Sequence, residues 1–227
     1  MTFLVFQLAA LLAAANAQAP PFGDEILDYA VNWPSGLSLG EGRMEAKKAG
    51  DRWEFVLTLE AALPGFAVND RYHSIAGPKD FCSLEFEKEA THGKRKAHER
   101  TSFDLAKAVA TRETLGGGGK SELPILACPK DALTFLYHVR SELSQGRLAP
   151  AQTIFFGAPY QVKLEYGGTQ NLRIGETRVE ADRLTAVVKG PASNTTFELF
   201  FAREAARPLV LVRVPFSMGV FSMELVR

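Results

Sequence analysis

The sequence predicts a mainly antiparallel β protein, an α+β chain in which one amphipathic α-helix is pressed against a sheet. Only one segment, Cys128 to Gly146, repeats its apolar residues at helical spacing over several turns. Most other apolar runs alternate with period two, and clusters of Pro, Gly, Asn and Asp separate them.

The helical segment signals both its ends. Pro129 suits a first helical position, Asp131 places a negative charge in the first turn, and Gly146 can end the helix with a positive φ. Stepping 100° per residue puts Ala132, Leu133, Phe135, Leu136, Tyr137, Val139 and Leu143 on one broad arc, wide enough for a helix set into a sheet. Arg140 falls inside that arc, where a guanidinium needs a partner or a route to water.

The 227 residues suit one domain, and 26 basic against 26 acidic side chains supply no net field to attract nucleic acid or an acidic surface. Phe3 to Ala15 is an uncharged apolar run too short to span a bilayer, and it is followed by Ala15, Asn16, Ala17. Residues 1–17 are therefore read as a signal peptide cleaved after Ala17, leaving 18–227 as a single exported β-rich domain in the periplasm or outside the cell, with no membrane span. Export permits a disulfide between Cys82 and Cys128, the only two cysteines; the alternative is a pair of buried thiols.

The strands follow in order. Leu27, Tyr29, Val31 and Trp33 alternate with polar neighbours; Gly40 and Gly42 mark a bend in the next segment; Trp53, Phe55, Leu57 and Leu59 share a face in the third. Phe66, Val68, Tyr72 and Ala76 share a parity with Asp70, which makes Asp70 the best sequence-level partner for Arg140. Cys82, Leu84 and Phe86 occupy one face of the following strand. Lys94, Arg95, Lys96 and Arg100 form a basic hairpin without interleaved aromatics, the pattern of a protected sheet edge rather than a nucleic-acid surface. His92 and His98 have no third ligand at a recognisable spacing, so no metal is expected. The GGGGKS run lacks the first glycine of a phosphate loop, Thr114 standing there, and reads as a linker. Seven further strand-like runs follow the helix, among them YQVKLEY, NTTFELFFA and FSMGVFSMELVR.

Three blocks, LDYAVNWPSGLSLG, DALTFLYHVR and RPLVLVRVPFSMGVFSMEL, resemble a bacterial exported family known as domain of unknown function 3108. The middle block is the most specific, with Asp131, Leu133, Leu136, Tyr137 and Arg140 at the family's spacing. The resemblance implies a strongly curved antiparallel sheet or partial β-barrel wrapped around the helix, in the style of the periplasmic lipoprotein carriers LolA and LolB, and an envelope location. It implies no activity.

No nucleophile elbow, dinucleotide fingerprint or His and Cys cluster is present, so neither catalytic residues nor a cofactor are expected. A terminal Arg227 and a helix that needs an apolar sheet face argue against an outer-membrane barrel. Two non-catalytic readings remain. In one, a cleft beside the helix takes an apolar or lipid-like ligand, with Arg140 and Tyr137 at its rim meeting an anionic headgroup. In the other, the protein is a scaffold that docks an envelope partner on a sheet edge; the purely structural reading of Arg140 is an ion pair with Asp70, or a stem along the core with its head on the last carbonyls of the helix.

Overall fold

The structure, a computed structural model, describes residues 19–226 apart from 64, 192, 193, 217 and 218; the cleavage position at Ala17 lies outside the described residues. From Glu25 the chain runs as a meander of eight strands: β1 (Glu25–Asn32), β2 (Ser38–Ala49), β3 (Arg52–Leu63), β4 (Phe66–Ala76), β5 (Ser83–His92), β6 (Arg95–Asp104), β7 (Val109–Thr114) and β8 (Lys120–Pro124). A two-residue β9 (Lys130–Asp131) leads into helix α1 (Ala132–Ser144). The chain then returns through β10 (Gln152–Phe155), β11 (Pro159–Ile174), β12 (Thr177–Lys189), β13 (Asn194–Ala202), β14 (Leu209–Phe216) and β15 (Gly219–Leu225).

All fifteen strands belong to one sheet, in which pairing between β1 and β15 joins the two meanders. Only β9 and β10 run parallel. The sheet curls until its β9–β10 end meets β5 and β6, without a ladder closing the curl. At that seam the Ser83 amide donates to the Pro129 carbonyl at 2.8 Å, Cys82 and Cys128 are joined in a disulfide, and Phe103 of β6 meets Phe155 of β10 edge-on at 5.4 Å. This is the curved, unclosed sheet around one helix that the sequence leads one to expect.

Alternation along the strands places the core. Leu27, Tyr29 and Val31 of β1, Trp53 and Phe55 of β3, and Leu133, Phe135, Tyr137 and Val139 of α1 are all buried inside the curl. A second small core lies on the outer face, because the β11–β12 hairpin bends at the Gly167–Gly168 bulge and lays Leu172, Ile174 and Val179 over Phe200, Val210 and Leu211.

Three local expectations are corrected. The helix begins three residues after Pro129, because the Asp131 side chain accepts from the Leu133 and Thr134 amides and makes itself the N-cap, while Lys130 and Asp131 bridge to β10. Its C-terminal end is as signalled, Gly146 standing at φ +71°. In β5, Ser83 pairs with Ala76 and Glu85 with Ile75, so Leu84 is the extra residue of a bulge. The bulge turns Ser83 inward, and Cys82 does not share a face with Phe86. Finally, the basic β5–β6 hairpin is not at an edge, since β7 and β8 extend the sheet beyond it.

Candidate functional site

Arg140 leaves the apolar arc of α1 and is only 1% exposed. Its guanidinium forks onto both carboxylate oxygens of Glu25, with Nη2 to Oε2 at 3.0 Å, and donates to the main-chain carbonyls of Ala206 at 2.8 Å and Arg207 at 3.0 Å. The Phe22 ring stacks on the remaining face, 4.5 Å from Cζ. One side chain thus ties the helix to the start of β1 and to the loop between β13 and β14.

The expected pair with Asp70 is therefore corrected to a pair with Glu25. Parity alone assigned Asp70 to the inner face, and it is there, buried; but parity says nothing of height along the strand. Ser74 is the β4 residue that meets the helix, through Asp131 at its N-terminus. Asp70 stands four residues further along, roughly 13 Å at the rise of a strand, and accepts instead from the Tyr72 hydroxyl at 2.7 Å with His92 Nε2 3.0 Å away. Glu25 could have been found, since it shares the odd parity of Leu27, Tyr29 and Val31.

The rim reading of Arg140 and Tyr137 is also corrected. Tyr137 is fully buried, stacked on Phe55 with ring centroids 4.0 Å apart, and burial pushes its phenol above the ordinary value despite the opposing charge of Arg140. Phe22 packs on Tyr137 at 5.0 Å, on Trp53 at 5.4 Å and on Phe81 at 5.8 Å. Side chains of the protein itself occupy the space beside the helix where an apolar ligand would lie.

The other end of α1 is equally built. Asp131, with no exposed surface, accepts from the Ser74 and Ser83 hydroxyls, each at 2.7 Å, and from the Leu133 and Thr134 amides at 2.9 and 3.0 Å. Burial raises its carboxyl above the usual range, and these donors pull the other way. Beside it, Lys130 is 3% exposed, and its Nζ lies 3.0 Å from Cys128 Sγ of the disulfide. Desolvation holds this amine down to about 8.

Outside the core, paired strands assemble a group that spacing along the chain could not show. Glu87 and Glu89 of β5 and His98 of β6 bring one ligand-type atom each within 4.8 Å of one another. Glu87 is bound by His98 at 2.5 Å and by Arg100 at 3.2 Å, and the His98 contact foremost lowers its pKa. With Arg100 on the second carboxylate oxygen and solvent on two of the three side chains, the group is a cross-strand charge ladder. A depression of about 600 Å³ on β1 to β3 is lined mainly by charged side chains, among them Asp28, Glu41, Arg43, Glu45 and Glu60, with Tyr29 and Val226.

The sheet leaves open the outer side of its end strand β8 and, over most of its length, one side of β11. β10 pairs with β11 only from Pro159 to Val162, and among the described residues no strand lies against that side of β11 from Lys163 to Ile174. Lys163, Glu165 and Tyr166 are exposed there. Main-chain N–H and C=O groups along a free edge can accept another strand. Among the described residues no helix is long and apolar enough to cross a membrane.

Comparison with known proteins gives a family and a fold. Residues 28–226 match the family described as "Protein of unknown function (DUF3108)". The chain is similar to the crystal structure of a beta-barrel-like protein of domain of unknown function DUF1849 from Brucella abortus, with a TM-score of 0.66 over 90% of this chain and 96% of that one, at 6% identity. No curated protein matches the chain.

Proposed function

The chain belongs to the DUF3108 family, and from its geometry we propose that it is a non-catalytic, exported envelope protein that docks an extended segment of a partner protein on the free edge of β11. The observation that carries this reading is the unpaired run from Lys163 to Ile174, twelve residues beside a β10 that covers only the first four of the strand. A strand added there gains main-chain hydrogen bonds, while Lys163, Glu165 and Arg173 give the register a charge pattern. Export is supported by the apolar leader and its small-residue cleavage signature.

An apolar or lipid-like ligand is the second reading, and one observation favours it: Lys88 stands 4.4 Å over the ring of Phe156, beside Tyr72 and Phe86, apart from the Phe22 ring cluster that seals the helix seam beside Tyr137 and Arg140. A cation over an aromatic wall could meet an anionic headgroup. The two readings separate by photo-crosslinking in exporting cells together with lipid extraction of the purified protein. A crosslinkable residue in place of Asn171 should trap one envelope protein that the same residue at Lys47, on the exposed side of β2, does not. Equal labelling at both positions, or one stoichiometric lipid per chain, would replace docking by ligand binding.

A further inference from the structure

The seam disulfide sits in surroundings that a purely structural bridge does not require. Lys130 is buried, and among the described residues its ammonium has one hydrogen-bonding neighbour, the sulfur of Cys128 at 3.0 Å. A disulfide sulfur is a weak acceptor, so a desolvated ammonium there is poorly satisfied. A thiolate at the same position would give it a full counter-charge. The charged and titratable groups facing Lys130 are Asp80, Asp131 and His138. Asp80 is exposed and acts on Lys130 through its charge alone, without a hydrogen bond; Asp131 is already engaged by two serine hydroxyls and two amides, and burial keeps His138 on the neutral side. Both cysteines are partly exposed, which leaves the bridge open to an attacking thiol.

We propose that the Cys82–Cys128 bridge is a thiol–disulfide exchange site for dithiols, with Lys130 stabilising the Cys128 thiolate released on reduction. One thiolate of the dithiol attacks Cys82 Sγ; the S–S bond breaks and its electron pair leaves on Cys128, beside Lys130. The second thiol of the reagent then attacks the mixed disulfide and releases Cys82. The dithiol is oxidised to its disulfide and the protein bridge is reduced by two electrons. Of the two thiol protons, one ends on Cys82 and one in solvent, because Cys128 stays a thiolate. Selective stabilisation of the reduced form is what makes a disulfide oxidising. The consequence is mechanical as well, since the bridge fastens β5 to the segment that carries Asp131 and the start of α1. This inference does not depend on the docking reading.

The test is equilibration of the full chain in dithiothreitol and glutathione buffers, wild type against Lys130→Met. The variant's bridge should be about tenfold harder to reduce, a potential lower by about 30 mV, and an unchanged equilibrium constant overturns the proposal. If Lys130→Met does not fold, Cys82→Ser decides with Lys130 intact. The lone Cys128 should form its thiolate clearly below the ordinary thiol value of about 8.5, as read by the pH profile of alkylation. A midpoint at or above that value overturns the proposal equally.

Discussion

Replacing Glu25 by glutamine removes the charge that balances Arg140 while leaving the fold's shape almost unchanged. The guanidinium is 1% exposed, and after the change it keeps the carbonyls of Ala206 and Arg207, the rings of Phe22 and Tyr137 and one neutral amide oxygen at position 25, but no counter-charge. Breaking a buried pair from one side costs about 3 to 5 kcal/mol, because a charge is left desolvated without its counter-charge. For a domain of this size that lowers the melting temperature by roughly 6 to 20 °C. The informative assay is a pair of double-mutant cycles by thermal or urea unfolding. One crosses Glu25→Leu with Arg140→Met, the other Asp70→Asn with Arg140→Met. The first should show a coupling on the order of 2 to 3 kcal/mol, the double variant recovering much of the loss, and the second should close within about 0.5 kcal/mol. A Glu25→Gln protein within about 1 kcal/mol of wild type, or coupling on the Asp70 side, would refute the reasoning.

Joint substitution of Cys82 and Cys128 by serine should cost about 4 kcal/mol on the loop-closure argument, read as a lower urea midpoint; the bridge spans 46 residues of sequence. Lys130→Met should be more stable than wild type near neutrality, and the sign follows from linkage. The folded amine titrates near 8, below the roughly 10.4 of the unfolded chain, so the folded state disfavours the charge. That penalty, on the order of 3 kcal/mol, is fully present below pH 8 and fades between pH 8 and 10; a difference between the two proteins that is flat in pH would contradict it. Phe22→Ala removes a ring from among Trp53, Phe81, Tyr137 and Arg140 and should cost about 3 to 5 kcal/mol, again by thermal unfolding; a near-neutral result would mean the segment before β1 does not seal the helix seam.

How much of this was legible in the sequence depends on which dimension each feature occupies. Periodicity reports faces, so the inward sides of β1, β3 and β4 and the burial of α1 were all readable from residues such as Tyr29, Phe55 and Tyr137. Position along a strand is invisible to it, which is why the pattern points to Asp70 as the partner of Arg140 and passes over Glu25. Glu25 stood at the correct parity, at the very start of the alternating run. The bulge at Leu84 reversed the parity of Ser83, and with it the placing of Asp131, whose cap needs two strand serines 57 and 48 residues away. The cross-strand group of Glu87, Glu89 and His98, like the free edge of β11, exists only once strands are paired, and strand order is not written in any local pattern.

A helix sealed inside a curled sheet whose β11 edge is left open is the central claim, and residue-resolved hydrogen exchange on the isolated protein measures both parts at once. Amides of Leu136 to Leu143 should exchange only through global unfolding, while alternate amides from Lys163 to Ile174, those turned away from β12, exchange orders of magnitude faster than their neighbours. Uniform protection along β11, or rapid exchange around Arg140, would contradict it.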